Sequence, residues 1–520
     1  MLLLPFLLLQ AALCVPISIE DYGAVAGIDT HAQALLNGAA FTAAVAAANS
    51  SSGERSVLVP AGRVYSFLPS VPAHVGLVNL TVYIEGELAV HTANFSAPAP
   101  GGYPNYPNPW NPLAFTNSVN LNLLSAGGRG LVNGRGNLWW WYTILVADHR
   151  ANLLEIDGSV NLRIEGLTFL NSAAWHVNLG GALNASVSGV TVRVDIEDQV
   201  SVLRYIGGAP ASAPLAQVLE LAEHIGPGSA ASAARPSLAA RQAAGDPALL
   251  AARAAALPAA VRQQPWYQAA WGITPPVPMV WALNTDGIDF SGQGITVSNC
   301  SVTNFDDSVC VKPTDSASGA AAGCTSGIAI SDIDITYGVG VSMGSVPPHR
   351  DGVNCIDGVH AQRLRFQSPL KAIYIKPNPA GNDPGGDFGR IANVLYEDVE
   401  VRDALWWAVY VGTQQQHQPG GGGQTDCPFI FPLLNTTCPT DPQVTVANIT
   451  IRRMDMYGGL MSPGIIIMNA SNPGTGFVFD AVVAHNASTW PLPGGYLTSN
   501  VHGIAMGGTS PVPAGFVVKP

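Results

Sequence analysis

The chain has 520 residues, 48% of them hydrophobic and only 11% charged, with 56 glycines, 40 prolines and a formal net charge of −12. It is too apolar to be a disordered chain and suits a turn-rich β protein; its length is accommodated if coils repeat rather than share one compact core. No basic stripe is visible, which excludes nucleic acid as the main partner. An acidic chain can still bind an acidic polymer where basic groups line its cleft.

The first segment, Met1-Leu2-Leu3-Leu4-Pro5-Phe6-Leu7-Leu8-Leu9 continuing to Cys14, is apolar, too short to span a bilayer and closed by small residues. Despite lacking a basic start, it reads as a signal peptide over 1–14, and no later stretch has the length of a membrane span. The expected setting is secreted, extracellular or in a cell wall, with no membrane partner. Next, Asp21-Tyr22-Gly23-Ala24-Val25 precedes an Ala-rich helix around Phe41–Ala48, followed by a strand and turn at Val57-Leu58-Val59-Pro60-Ala61-Gly62. A helix there predicts a cap on the open end of a solenoid.

Alternating segments of strand character then recur: Asn161–Phe169, Ala185–Val192, Gly294–Val302 and Gly327–Ile335, with later copies starting near Val359, Ile391 and Val446. Each has period-two alternation and Gly- or Asn-containing turns, and the unequal spacing fits coils carrying loops of different length. An open sandwich would need hairpin signals, which are sparse. From about 199 to 277 the chain becomes Ala-rich, with helix formers broken by Pro and Gly; this predicts an insertion on the coil surface.

Two acidic motifs flank the strand Gly294–Val302. They are Asn284-Thr285-Asp286-Gly287-Ile288-Asp289 and Phe305-Asp306-Asp307-Ser308. Asp286 lies 20 and 21 positions from the doublet, about one coil of a parallel β-helix, whose rungs are roughly 4.8 Å apart. Carboxylates one rung apart can converge on one cleft, as acid/base chemistry at a glycosidic bond requires. The competing reading is that these aspartates cap turns or bind a cation.

Sequons begin at Asn49, Asn79, Asn94, Asn184, Asn299, Asn435, Asn448, Asn469 and Asn486, consistent with export and glycosylation of a subset. Six cysteines follow the leader, an even count that favours disulfides. The local pairs expected are Cys310 with Cys324 and Cys427 with Cys438, which leaves Cys300 and Cys355 as buried thiols.

Taken in order, Asp21-Tyr22-Gly23-Ala24, Val59-Pro60-Ala61-Gly62, Asn133-Gly134-Arg135-Gly136-Asn137-Leu138-Trp139-Trp140, Ala174-Trp175-His176, Asn284-Thr285-Asp286 and Asp306-Asp307 resemble glycoside hydrolase family 28, the polygalacturonase family. The resemblance runs from about Ser18 to Val483, apart from the insertion. It implies an all-β fold, a right-handed parallel β-helix with an N-terminal capping helix, forming one catalytic domain over 15–520. It also implies inverting hydrolysis of a pectin-like polysaccharide by a monomer without metal or organic cofactor. By resemblance Asp306 is the general acid, and Asp286 and Asp307 hold and activate the attacking water. Lys376, Tyr374 and Asn284 are the candidate substrate-binding residues.

Two positions depart from the family pattern. Its Gly-His-Gly is Gly338-Val339-Gly340 here, and Val339 neither donates nor accepts through its side chain. Its Arg-Ile-Lys is Tyr374-Ile375-Lys376, so a bidentate carboxylate clamp is lost, although Lys376 could still pair with a uronate and Tyr374 could stack on a sugar. His349 and Arg350 lie just beyond. Trp139, Trp140, Trp141, Trp175, Trp406 and Trp407 are either sugar platforms or core, and Gln414, Gln415, Gln416 and Lys312 are equally ambiguous. Alternative functions are an inactive carbohydrate-binding or structural wall protein, a calcium-dependent pectate-lyase-like enzyme, and a glycosidase of different sugar specificity.

Overall fold

The computed structural model describes residues 15–53, 55–91, 110–136, 140, 150–195, 282, 284–314, 323–348, 353–378, 388–416, 427, 431–432 and 437–520. The leader expected over 1–14 lies outside them. So do the Ala-rich insertion at 199–277, Trp139, Trp141, His349, Arg350, and the sequons at Asn94 and Asn435.

Among the described residues, 28 strands join into one continuous sheet in which each strand pairs in parallel with its counterpart a coil earlier or later. Ile288 pairs with Val309, so this coil takes 21 residues, close to the spacing of the two acidic motifs. On one face stack Leu154–Asp157, the start of Val177–Ser188, the start of Ile288–Asn304, Val309–Val311, Val339–Val346, Lys371–Pro377 and Trp407–Val411. The remaining faces are made by long strands such as Ile288–Asn304, Thr325–Tyr337, Val353–Gln367, Phe388–Arg402 and Val444–Tyr457.

Alternation decides which side chains enter the coil. On the first face Ile288, Val309, Val341, Ile373 and Val409 form one inward row and Phe290, Val311, Met343, Ile375 and Val411 the next, each at most 1% exposed. Burying one such side chain contributes about 1.5–3 kcal/mol. The row repeats with every coil, so a solenoid needs no single large core.

The corners explain much of the glycine and asparagine content. One corner column runs Asn184, Gly294, Gly327, Gly358, Asn393, Asn448, Gly476, and a second runs Asn299, Asp332, Arg363, Asp398, Arg453, all with φ between +50° and +77°. A left-handed residue turns the chain, and Gly and Asn adopt that conformation most cheaply. Asparagines from successive coils also bond side chain to side chain: Asn161 Nδ2 donates to Asn120 Oδ1 (2.8 Å) and Asn184 Nδ2 to Asn161 Oδ1 (2.7 Å). Five sequon asparagines, Asn79, Asn184, Asn299, Asn448 and Asn486, adopt this left-handed backbone, so their presence has a backbone reason.

The expected N-terminal helix is longer than its Ala-rich centre, running His31–Ser50 with the Thr30 side chain accepting from Gln33 N–H. It buries Ala34, Phe41, Ala44, Val45 and Ala48 over the first coils. Cys427 and Cys438 are joined, with Cα atoms 4.3 Å apart. The expected Cys310–Cys324 pair is corrected: Cys324 bonds Cys355, 31 residues away, with Cα atoms 4.7 Å apart. Thr325 pairs with Ile356, so stacking places Cys355 directly over Cys324, whereas Cys310 stays a buried free thiol on the first face.

Candidate active site

The acidic motifs lie at the entry to two adjacent rungs of the first face. Asp286 stands two residues before Ile288 and Asp307 two before Val309, and those two residues are register partners. Backbone bonds seal the match, with Gly287 N–H donating to Asp307 O (2.8 Å) and Ile288 N–H to Ser308 O (3.0 Å). One oxygen from each of Asp286, Asp306 and Asp307 lies within 4.8 Å of the others. That is tighter than the roughly 6.5–9.5 Å between the two carboxyls of a usual inverting pair. All three side chains are buried.

Burying three acids together requires local scaffolding. The Asn304 side chain provides it: its Nδ2 donates toward Thr285 O, Asp306 O and Asp307 O (2.8–3.0 Å), and its Oδ1 accepts from Ser308 Oγ (2.8 Å). Thr285 Oγ1 donates to Ala282 O (2.6 Å). His176 is fully buried, and burial lowers its pKa to about 4, so the ring is neutral at neutral pH. Its Nε2 accepts from Ser172 N–H (3.1 Å), which leaves Nδ1–H to donate to Asp286 O (2.9 Å). The ring therefore fixes the backbone that carries Asp286.

The three acids have different surroundings. Asp307 would be raised by burial, but the Lys376 and Lys312 ammonium groups hold it well below the usual carboxylate range. Lys376 Nζ reaches Asp307 Oδ2 at 2.5 Å, Lys312 Nζ lies 3.4 Å from the same oxygen, and Ser342 Oγ donates to Oδ1 at 2.7 Å. Asp306 is raised, by burial first and then by the charge of Asp307. Its Oδ2 accepts from Asn284 N–H (2.9 Å) and its Oδ1 from Asp307 N–H (3.0 Å). Asp286 is raised well above its ordinary value by burial and then by Asp289, Asp306 and Asp307. Its Oδ1 has no hydrogen-bond partner among the described residues. Asp289, fully buried on the next outward row, is pushed up to about 6 and lies 3.2 Å from Lys312 Nζ.

A cation would be drawn to three convergent carboxylates. Two ammonium groups and a hydroxyl already engage both oxygens of Asp307, and backbone N–H groups engage those of Asp306. The site is therefore neutralised from within by lysine rather than shaped as an oxygen cage.

The altered positions take different roles from those the motifs suggest. Val339 is buried and its N–H donates to Asp306 O (2.6 Å), so this position still supports the acid through its backbone. Gly340, at φ +52°, lets the chain pass Ala372, whose carbonyl oxygen would lie 2.0 Å from any added Cβ. Tyr374 is 3% exposed, with its ring edge-on to Tyr410, so packing replaces the expected sugar contact. Lys376, also 3% exposed, is bound to Asp307 rather than displayed to a uronate. Asn284 presents its N–H to Asp306, while its Oδ1 accepts from Arg150 (3.1 Å). Trp406 and Trp407 are buried and Trp175 is half-buried. Gln415 accepts from Ser345 Oγ, and Gln416 Oε1 accepts from Lys371 Nζ (2.6 Å).

Reading along the chain passes over Lys371, Asn304, His176, Ser342 and Asp289 as site residues. Asn304, His176 and Asp289 sit in or beside the quoted motifs. Lys371 has no such signal: it is Val339's register partner one coil on, with Nζ 3.8 Å from the Tyr374 ring centroid. Burial, then repulsion from Lys376, lowers its pKa to about 7.

Comparison with known proteins points to one family. Residues 277–426, which hold both acidic motifs and the altered ones, match the model of glycosyl hydrolases family 28. A probable endo-xylogalacturonan hydrolase A of Neosartorya fischeri is 32% identical over 120 residues, 23% of this chain, and the match spans about a quarter (26%) of that relative's length. A probable exopolygalacturonase A of Aspergillus niger is 21% identical over 294 residues, 55% of this chain and 46% of that protein. The crystal structure of an endo-xylogalacturonan hydrolase from Aspergillus tubingensis superposes with a TM-score of 0.56 at 16% identity, covering 96% of this chain and 97% of that one. The shared fold is the right-handed parallel β-helix. With the Asn-Thr-Asp and Asp-Asp motifs on adjacent rungs of that helix, residues 277–426 match glycoside hydrolase family 28, which supports reading the chain as a divergent member.

Proposed function

We propose that this protein is a glycosidase that hydrolyses a pectin-like polysaccharide, and that Asp306 is its general acid. One observation carries the reading. Three carboxylates from adjacent rungs share a cluster in which one is held ionised by lysines and two are pushed toward the protonated form. Environments that separate the protonation of neighbouring acids are what acid/base division of labour requires. Asp306 keeps its proton for the leaving oxygen because burial and the Asp307 charge disfavour its ionisation. A water hydrogen-bonded to both Asp286 and Asp307 at about 2.8 Å each fits between oxygens that lie within 4.8 Å of one another. Asp307, held ionised by the lysines, takes that water's proton while Asp286, with an unpartnered Oδ1, orients it, and attack from the face opposite the leaving group inverts the anomeric centre.

The substrate class follows from the company the chain keeps: the matching relatives are named for xylogalacturonan and polygalacturonate hydrolysis. We place the enzyme outside the cell as a monomer. The test is Asp306→Asn, which lowers kcat on a pectic polymer by about 10²–10⁴-fold; unchanged turnover refutes the acid assignment. NMR of the first product reports its anomer, and retention would overturn the shared-water scheme. An ultraviolet-absorbing unsaturated product would instead mark a lyase.

A further inference from the structure

A second polar cluster lies under the capping helix, away from the acids. His31 opens that helix, and His91 follows the strand Glu87–Val90. Ala89 pairs with Asn133, Asn133 with Leu170, Leu170 with Arg193 and Arg193 with Thr303. His91 is therefore four rungs, about 19 Å, from the strand that leads into Asp306. The two histidine ring centroids stand 5.9 Å apart, with the planes inclined at 56°. Their spacing is fixed by the packing of helix on coil, since Leu68 N–H donates to Ala34 O (3.1 Å) and Asn37 Nδ2 to Ser66 O (2.8 Å).

The hydrogen bonds around Asp29 settle the His91 tautomer. Ser66 Oγ donates to Asp29 Oδ1 (2.7 Å), and His91 Nδ1 lies 2.8 Å from the same oxygen. Asp29 Oδ2 accepts from Arg135 Nη1 (2.8 Å). A carboxylate only accepts, so His91 Nδ1 carries a hydrogen and the neutral ring has its lone pair on Nε2. His91 is 4% exposed, and its Nε2 has no hydrogen-bond partner among the described residues; neither has the buried Nδ1 of half-buried His31. Two buried ring nitrogens without partners are costly, and the gap between the rings calls for a species that both can bind.

A metal ion meets that demand. Imidazoles bound to one ion at about 2.0–2.1 Å have centroids roughly 5–6.5 Å apart, a range that includes the observed spacing. A ligating histidine usually donates its other N–H to a carboxylate, as His91 does to Asp29, which Ser66 and Arg135 hold in turn. Imidazole suits zinc and copper, whereas calcium and magnesium require oxygen. The helix N-terminus disfavours a cation, and the Asp29 carboxylate beside it offsets that effect.

We propose that His31 Nδ1 and His91 Nε2 bind a divalent transition-metal ion that clips the capping helix to the coil beneath it, with water completing the coordination. The site is independent of the aspartate cluster and of the glycosidase reading.

The full chain, stripped with chelator, is titrated with Zn²⁺ by calorimetry, with Ca²⁺ and Mg²⁺ as controls, and its thermal unfolding is followed with and without zinc. One equivalent of Zn²⁺ binds and raises the melting temperature, because the ion binds only the folded arrangement. His31→Ala removes this binding and makes melting indifferent to zinc, and Asp29→Ala weakens zinc about 10–100-fold by freeing the His91 ring. Asp286→Asn leaves zinc affinity unchanged, which separates the ion from the three acids. Substoichiometric Cu²⁺ identifies the donors: its electron paramagnetic resonance shows coupling to two imidazole nitrogens, and to fewer in His31→Ala and His91→Phe. If His91→Phe does not fold, His31→Ala decides alone. Absence of zinc binding, zinc binding that survives His31→Ala, or a copper spectrum without imidazole coupling overturns the site.

Discussion

The two flanks of the aspartate cluster use the same sheet face for opposite purposes. On the C-terminal flank Val339, Lys371, Tyr374 and Lys376 are all buried, with cations packed among rings and against Asp307. On the N-terminal flank Asn152, Glu155, Trp175 and Asn178 are half-buried, with amides holding a carboxylate. The first flank tunes the acids, because a desolvated ammonium acts strongly on a carboxylate a few ångströms away. The second leaves polar groups at the surface, where a ligand can reach them. Both motif departures, Val339 and Tyr374, fall on the buried flank, so the altered residues repack the support of the acids rather than the exposed face.

Substitutions divide along the same line. Lys376→Met leaves Asp307 buried without its closest counter-charge and costs about 3–5 kcal/mol in chemical denaturation; a neutral effect would mean that Lys312 alone suffices. Tyr374→Ala and Trp175→Ala form a matched pair across the cluster. The first costs about 3–5 kcal/mol as a truncation of a buried ring, while the second stays near about 0.5 kcal/mol, as at a surface position. Equal losses would make Trp175 core and dissolve the contrast. Cys355→Ser, away from both flanks, costs about 2–4 kcal/mol through loss of the Cys324 bridge.

Glu155 supplies a pH test. Burial, with the charges of Asp157 and Asp289, raises it to about 7 from an ordinary 4.5, against the Asn152 and Asn178 hydrogen bonds. A raised folded-state pKa means the native protein binds the proton more tightly than the unfolded chain does. Its stabilising effect is therefore full below about 4.5 and is lost as pH rises to about 7. Glu155→Gln flattens the melting temperature across that window, and an unchanged slope would place the carboxylate in solvent. The smallest effect belongs to the exposed corner pair Arg363–Asp332, bonded at 2.7 Å through two guanidinium nitrogens. Arg363→Ala leaves the melting temperature unmoved, because water screens such pairs; a clear drop would show the corner ladder acting as one network.

Much of the architecture is legible in the chain. Period-two alternation marks the strands from Gly294–Val302 onward, and asparagine and glycine mark the left-handed corners. The 20- and 21-residue offsets from Asp286 to Asp306 and Asp307 match the 21-residue coil that brings them together. These are local or one-coil properties, carried by neighbouring residues. The disulfide at Cys324 was misread because coils differ in length, with 21 residues between Ile288 and Val309 but 55 between Val409 and Gly464. A partner 14 positions away is then no nearer than one 31 away.

Sequence alone determined that the chain winds into repeating parallel coils and that three aspartates meet on adjacent rungs, since both follow from periodicity and from one short spacing. Only the tertiary structure decided which lysine neutralises which acid, that Tyr374 is packed and Trp175 reachable, and that Lys371 stands beside Val339. Those outcomes depend on burial and on distances between residues from separate coils. The value of a charge or a ring is set by how much water its neighbours exclude, and the linear order of residues does not record that.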